Sequence, residues 1–171
     1  MNCKLHDACW VSIDPANKSG IAFWRYDRLT GTAVMRAVGK SGKWRVGERA
    51  YESRHAATLS VIHGASMVIA EEGFGRFASA IKSQAGMIGY WRCACDALDI
   101  PFATVNVSEW RRVIKEAYAI SWPATTERKK ALSVSLVKKA YGITVTDDEA
   151  DAVLLGHAAI RMGLTERATI Q

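Results

Sequence analysis

Acidic residues stand at places in this sequence where an apolar run has just ended. Asp14 directly follows the mainly apolar strand Val11-Ser12-Ile13, and Glu71 follows the apolar residues 67–70, with Glu72 next to it. If the two runs are neighbouring parallel strands, their terminal carboxylates meet at one edge of a sheet. Like charges at short range are unfavourable unless a cation neutralises them. The two positions therefore predict a cation site.

A further acidic group runs from Asp147 to Asp151. Asp148 and Asp151 are three residues apart and would share one face of a helix, and Asp147 and Asp151 could do the same. Capping is an alternative for the first residues of the run, because acids are favoured at a helix N-terminus. Asp151 differs, since the apolar residues 152–155 follow it and a charge entering a core normally has a task.

The chemistry of these side chains favours a hard divalent cation. Carboxylate oxygens suit Mg²⁺ or Mn²⁺ and not zinc. Two such ions about 4 Å apart would activate a water molecule and stabilise the leaving oxygen in phosphodiester hydrolysis. The four cysteines have the spacings C-x5-C and C-x-C, and the four histidines are scattered. These patterns predict neither a zinc site nor a redox motif.

Length and composition predict a single globular domain over residues 1–171, because 49% of the residues are apolar and 23% are charged. This balance excludes intrinsic disorder and low-complexity architectures. No apolar run approaches the ~20 residues that cross a bilayer, and residues 1–7 contain no apolar leader. We therefore expect a cytoplasmic protein with no membrane partner and no small-molecule cofactor.

The charge of the chain favours a polyanionic partner. The net charge is +6, and residues 25–54 and residues 109–139 each contain eight basic residues against three acids. Solvated surface faces would also account for most of these charges, so charge alone does not identify nucleic acid as the partner.

The elements that must position the acids follow from apolar periodicity and turn residues. We predict an α/β fold in which a three-stranded antiparallel meander and two parallel strands form one five-stranded mixed sheet, flanked by helices. The predicted strands cover residues 8–13, 20–24, 32–38, 66–70 and 102–105. The predicted helices cover residues 47–62, 78–98, 109–118 (capped by Ser108), 127–141 (capped by Thr125 or Thr126) and 147 to about 162 (opened by a capping box at Thr146).

Three motifs together resemble the acidic motifs of RuvC-type Holliday junction resolvases, which are RNase H-like nucleases: Ile13-Asp14-Pro15, Ile69-Ala70-Glu71-Glu72-Gly73-Phe74 and Asp148-Glu149-Ala150-Asp151-Ala152. The element order also agrees from about residue 8 to residue 160. The resemblance implies an RNase H-like fold, a homodimer, and cleavage of four-way DNA junctions with two Mg²⁺ ions per active site, or Mn²⁺ in their place.

The resemblance also implies roles for single residues. It implies four metal ligands, with Glu72 and Asp147 as secondary candidates: Asp14, Glu71, Asp148 and Asp151. It marks Phe74 as similar to the aromatic residue that wedges into the opened junction. The family places a basic residue of the penultimate helix near the scissile phosphate, which makes Arg128 or Lys129 the candidates, with Lys129 counted among the catalytic residues.

The other candidate DNA-binding residues are basic side chains near these motifs, and solvated helix faces are the alternative explanation for them. They are Arg76, Arg111, Arg112, Lys115, Arg128, Lys129 and Lys130. Ala16, where bacterial members usually have glycine, and the insertion at residues 121–123 suggest a phage-encoded or accessory member, which would act in the host cytoplasm. Two other functions remain open: an RNA-processing nuclease of the same fold, and a non-catalytic DNA-binding protein on that scaffold.

Overall fold

The computed structural model describes residues 9–73 and 78–166, and for residues 78–84 it describes the backbone alone. The strands in this part of the chain are β1 (Cys9–Asp14), β2 (Lys18–Arg25), β3 (Arg28–Ala37), β4 (Trp44–Val46), β5 (Arg49–Tyr51), β6 (Met67–Glu72) and β7 (Phe102–Asn106). The helices are α1 (Arg54–Ile62), α2 (Ala78–Asp96), α3 (Val107–Tyr118), α4 (Thr126–Tyr141) and α5 (Asp147–Arg161). None of the helices described is both long and apolar enough to span a bilayer.

All the described strands join one mixed sheet in the order β5-β4-β3-β2-β1-β6-β7. The strands from β1 to β5 pair antiparallel with their neighbours in the chain, whereas β6 is parallel to both β1 and β7. The predicted meander, the two parallel strands and the flanking helices are therefore confirmed.

The predicted number of strands is wrong, because the sheet has seven strands where five were expected. Residues 47–62 were assigned to one helix, but β5 forms at residues 49–51 and pairs with β4 across a two-residue turn at Gly47, whose φ is +56°. Such short hairpin turns favour glycine at positive φ. The helix begins only at Arg54, where the Ser53 side chain accepts a hydrogen bond from the Ala56 amide.

Helices cover both faces of the sheet because side chains alternate along each strand. On β1, Trp10 lies in a core with α3, α4 and α5, whereas Val11 and Ile13 lie in the opposite core with α1 and α2. Trp91, on α2, is fully buried in that second core. Each layer of helices therefore packs on a continuous apolar surface of the sheet.

α5 is held against β1 and β2 by polar contacts as well as by packing. Ser12 Oγ donates a hydrogen bond of 2.7 Å to the Ala152 carbonyl, and Trp24 Nε1 donates one of 2.8 Å to Ser12 Oγ. A Cβ on Gly156 would lie 2.5 Å from the Trp24 indole, so the absence of a side chain there lets α5 approach the sheet. The buried start of α5 is thereby fixed next to the end of β1.

Most of the predicted helix ends are observed. Thr146 forms the capping box with Glu149, Thr125 caps α4, and α4 ends at Gly142 with a φ of +69°. The cap predicted for α3 is wrong, because Asn106 Oδ1 accepts from the Ser108 amide and the helix begins at Val107. Asparagine caps a helix as well as serine does, and Asn106 rather than Ser108 occupies the position before the first helical residue.

Candidate active site

The parallel pairing of β1 and β6 brings two of the predicted acids to one edge of the sheet. Ile13 lies opposite Ala70 in this register, so that Asp14, the last residue of β1, lies beside Glu71, the next-to-last residue of β6. Both strands are buried up to these residues, because their preceding positions are apolar and face the two cores. The predicted convergence of the two carboxylates is observed.

The electrostatic environment of Asp14 disfavours its charged form. Burial raises the pKa of this carboxyl well above its ordinary value, and the neighbouring acids Glu71, Asp151 and Asp148 raise it further. The positive charge of Lys130 lowers the pKa of Asp14, but this effect is smaller than those of burial and of the neighbouring acids. A positive charge placed among these acids would restore the ionised form.

Glu71 and its neighbour Glu72 point in different directions. Glu71 Oε2 accepts a hydrogen bond of 2.8 Å from Trp110 Nε1 on α3. Burial raises the pKa of Glu71, and the negative charge of Asp151 raises it further. The hydrogen bond from Trp110 lowers this pKa and so partly offsets the rise. Glu72 is exposed and accepts from Thr104 Oγ1 at 3.1 Å. Of the two glutamates, Glu71 is therefore the one whose carboxylate lies near Asp14 and Asp151.

Asp151 enters the protein from the first turns of α5. It is 8% exposed, and its Oδ1 atom is buried with no hydrogen-bond partner among the described residues. Burial raises the pKa of this carboxyl, while the Ser133 side chain and the charges of Arg111 and Lys130 oppose the rise. A buried carboxylate oxygen without a partner is costly, so it indicates a position where a ligand would be bound.

The remaining two acids contact lysines. Asp148 pairs with Lys18 Nζ at 2.6 Å and with Lys130 Nζ at 3.5 Å, and its side chain is 14% exposed. Asp147 accepts from Lys130 Nζ at 2.5 Å, is 38% exposed, and has its pKa lowered by that hydrogen bond. Asp148 is thus the more enclosed of the two, and its charge raises the pKa of Asp14, whereas the charge of Asp147 raises the pKa of Asp151.

Lys18 is a site residue that the sequence analysis missed. It begins β2, four residues after Asp14, and nothing in its spacing distinguishes it from a solvated lysine. Its contact with Asp148 depends on the strand pairing that places Gly20 opposite Asp14. Trp110 and Ser133 were missed for the same reason, because each reaches an acid from another part of the chain.

The basic residues predicted on α4 are not equivalent. Lys130 contacts the acids, and the hydrogen bond with Asp147 raises its pKa. Arg128 is exposed and Lys129 is partly buried in the first turn. The lysine that the structure brings to the acidic group is therefore Lys130, whereas the catalytic role of Lys129 stays a prediction.

Arg111 on α3 lies between two tryptophans beside the acids. Its guanidinium is 5.1 Å from the Trp110 ring and 5.5 Å from the Trp122 ring, and its Nε is buried without a partner. Its charge lowers the pKa of both Glu71 and Asp151. Two other predicted basic residues of α3 lie away from these contacts on exposed positions: Arg112, paired with Glu116 at 3.1 Å, and Lys115.

Two predicted DNA-contacting residues, Phe74 and Arg76, lie outside the described residues. Glu72 and Gly73 precede them directly, so that they follow the end of β6 in the chain. Their predicted roles stay predictions.

The acidic group fits a hard divalent cation by its chemistry. Asp14, Glu71 and Asp151 supply carboxylate oxygens, each with a raised pKa, and Asp151 Oδ1 lacks a partner. Within residues 9–73 and 78–166, however, no group of three or more histidine, cysteine or acidic side chains is arranged so that it could hold an ion as it stands. Side-chain rotations would therefore have to accompany binding.

Solved structures share this architecture. RuvC from Thermus thermophilus in complex with a Holliday junction substrate matches with a TM-score of 0.57 and 18% identity, over 91% of this chain and 96% of that chain. The chain has the RuvC fold. A second Thermus thermophilus RuvC structure matches with a TM-score of 0.50 and 19% identity over the same shares. The resemblance to RuvC is thus confirmed at the level of fold. No protein-family model and no curated protein matches the sequence.

Proposed function

We propose that this protein is a Holliday junction resolvase, an endonuclease that cuts four-way DNA junctions by metal-assisted hydrolysis. The observation that carries the proposal is the convergence of Asp14, Glu71 and Asp151 at one sheet edge of a RuvC fold. One of the neighbours that share the fold was solved with a Holliday junction substrate. The net charge of +6 suits a polyanionic substrate.

In this proposal the ligands of the metal are Asp14, Glu71, Asp148 and Asp151, all of which offer the oxygen atoms that Mg²⁺ or Mn²⁺ prefers. Bound Mg²⁺ would supply an activated water molecule and stabilise the negative charge that develops on phosphate oxygens. Trp110 and Ser133 orient two of the carboxylates through their hydrogen bonds, and thus reduce the rearrangement that metal binding requires.

The lysines that contact Asp148 hold that carboxylate in the absence of metal. Lys18 and Lys130 bring two positive charges to it, at 2.6 Å and 3.5 Å. If a cation were bound by Asp148 in their place, both ammonium groups would be free to contact the phosphates that flank the scissile bond. Arg111, which contacts the rings of Trp110 and Trp122, would contact the same phosphate backbone.

Resolution of a four-way junction needs two symmetric cuts, which explains why the proposed enzyme acts as a homodimer. A two-fold dimer presents two identical active sites to two equivalent strands. The dimer would be detected by light scattering of the purified protein. Paired nicks at symmetric positions in each junction would be its functional signature.

The test is cleavage of a mobile four-way DNA junction with Mg²⁺, with linear duplex DNA and structured RNA as matched substrates. We expect paired cuts in the junction, and we expect Asp14→Asn, Glu71→Gln and Asp151→Asn each to abolish cleavage. Junction binding in gel shifts should persist in these variants, because phosphate contacts do not depend on the ligands. Glu72→Gln is the control, since this exposed residue lies on the other side of the strand end.

Other results would favour the other functions. Cleavage of structured RNA in preference to the junction would replace the proposal by RNA processing on the same fold. Junction binding without cleavage under any divalent ion would indicate a DNA-binding protein that has lost its chemistry.

A further inference from the structure

The antiparallel half of the sheet carries a line of basic residues, and the proposed cleavage chemistry does not use the outer two of them. Strand register places Lys18 opposite Arg36, and Arg36 opposite Arg45. Directly opposed residues in an antiparallel pair point to the same face. Lys18, Arg36 and Arg45 therefore form one row across β2, β3 and β4, which we call the basic row. Strands lie about 4.8 Å apart, so the row is about 10 Å long.

The basic row lies on the face of the sheet that α5 covers. Thr32 on β3 donates a hydrogen bond of 2.8 Å to Glu149 of α5, and alternation along the strand puts Arg36 on the same side as Thr32. Lys18 forms the ion pair with Asp148 of α5. The row thus starts at the candidate metal site and extends outward along the sheet.

Within the part of the chain that the structure describes, the outer two members of the row have no charge partner. Among the described residues, neither Arg36 nor Arg45 forms an ion pair, although Lys43 close by pairs with Glu52 at 3.2 Å. Both arginines are exposed, and together with residues 37–39 they line a shallow depression of the surface. Like charges directly opposite each other destabilise a sheet, and a bound polyanion would remove that cost.

We propose that the basic row is a phosphate track that holds one duplex arm of the branched DNA outside the crossover. The proposal rests on the proposed function, because the row begins at the site where the scissile strand would lie. Guanidinium groups bind phosphate oxygens in a bidentate manner, so two neighbouring arginines on a rigid sheet would fix the direction of the arm. The short strand β4 then has a role, since it supplies Arg45.

The test compares the double variant Arg36→Gln/Arg45→Gln with the control Lys138→Gln/Lys139→Gln. The control removes the same charge from exposed residues in the last turn of α4, about 12 Å along the helix from Lys130. Binding of a long-armed junction is measured by fluorescence anisotropy over a salt series without divalent ions. We expect the row variant to bind about tenfold more weakly, with a salt slope smaller by about 2, because each lost phosphate contact removes about 0.9. The control should keep the wild-type slope.

A second substrate separates the track from a general loss of charge. A junction in which uncharged methylphosphonates replace the first phosphates of each arm should bind both double variants equally, because the row then has no phosphate charge to contact. If the double variant does not fold, Arg36→Gln alone carries the test, with an expected fall in slope of about 1.

The proposal and the function beneath it fail in different ways. Wild-type protein that neither binds nor cuts the junction would overturn the proposed function. Wild-type protein that binds and cuts, together with a row variant that matches the Lys138→Gln/Lys139→Gln control in affinity and slope, would overturn the phosphate track alone.

Discussion

Alanine in place of Gly20 tests whether the close approach of α5 to β2 builds the site. A Cβ at this position would lie 1.9 Å from the Asp148 carbonyl oxygen, 2.3 Å from its carbon and 2.9 Å from the Glu149 nitrogen. Ordinary contacts begin near 3.4 Å, so the start of α5 must retreat by about 1.5 Å. The retreat moves the backbone that carries both Asp148 and Asp151.

The expected cost follows from that displacement. Overpacking costs about 1–3 kcal/mol, and the upper end applies because the obstructing atoms belong to backbone and not to a flexible side chain. For a chain of this length about 3 kcal/mol lowers Tm by roughly 6–12 °C. A misplacement of 1 Å in a catalytic group costs about 100-fold in rate, so junction cleavage should fall at least that far.

Thermal unfolding followed by circular dichroism and cleavage of the four-way junction measure the two effects. Gly31→Ala is the matched control, because it also adds a methyl group to a strand of the same sheet, and its nearest neighbour would be the Phe23 ring at 4.0 Å. Equal Tm values and equal rates for Gly20→Ala and Gly31→Ala would refute the reasoning.

Four further predictions concern the carboxylates and their lysines. Glu71→Gln should lower cleavage at least about 100-fold, whereas Glu72→Gln should stay near wild type, and the reverse order would mean that Glu72 faces the metal. Lys130→Met should slow cleavage more than Lys129→Met in the same assay; equal losses would remove the special role of Lys130. Burial raises the pKa of Asp14, so the folded protein holds this proton more tightly than the unfolded chain, and stability is lost as the pH rises through the folded pKa. Asp14→Asn should therefore unfold at a higher Tm than wild type at pH 8 but not near pH 4, and an equal difference at both would contradict the assignment. Mg²⁺ should raise the Tm of wild type at pH 8 and raise that of Asp14→Asn much less, as calorimetry over a metal titration would show.

The strand-end acids and their parallel strands could be predicted from the sequence because both follow from local patterns. An apolar run that stops at an acid is visible in a short stretch of sequence, and the element order, which resembles that of RuvC-type resolvases, is consistent with two such runs on neighbouring strands. The buried position of Asp151 was equally visible, since the apolar residues 152–155 follow it.

The hairpin of β4 and β5 and the partners of the acids could not be predicted in the same way. Three-residue strands carry too little periodicity to be distinguished from a helical segment, and β5 depends on pairing with β4 for its existence. Contacts between distant parts of the chain bring three further residues to the acids: Lys18, Trp110 and Ser133. Local sequence propensity does not predict such contacts.

The hydrogen bond from Ser12 to Ala152 joins residues 140 positions apart, and this separation has a consequence during synthesis of the chain. α5 follows every other described helix and strand, so a ribosome must have made the whole sheet before Asp148 and Asp151 exist. Contacts of such long sequence separation form late in folding, after the loops that they close. A growing chain therefore has Asp14 and Glu71 but lacks half of the proposed carboxylate set, and the proposed metal site is complete only when α5 has docked on the sheet.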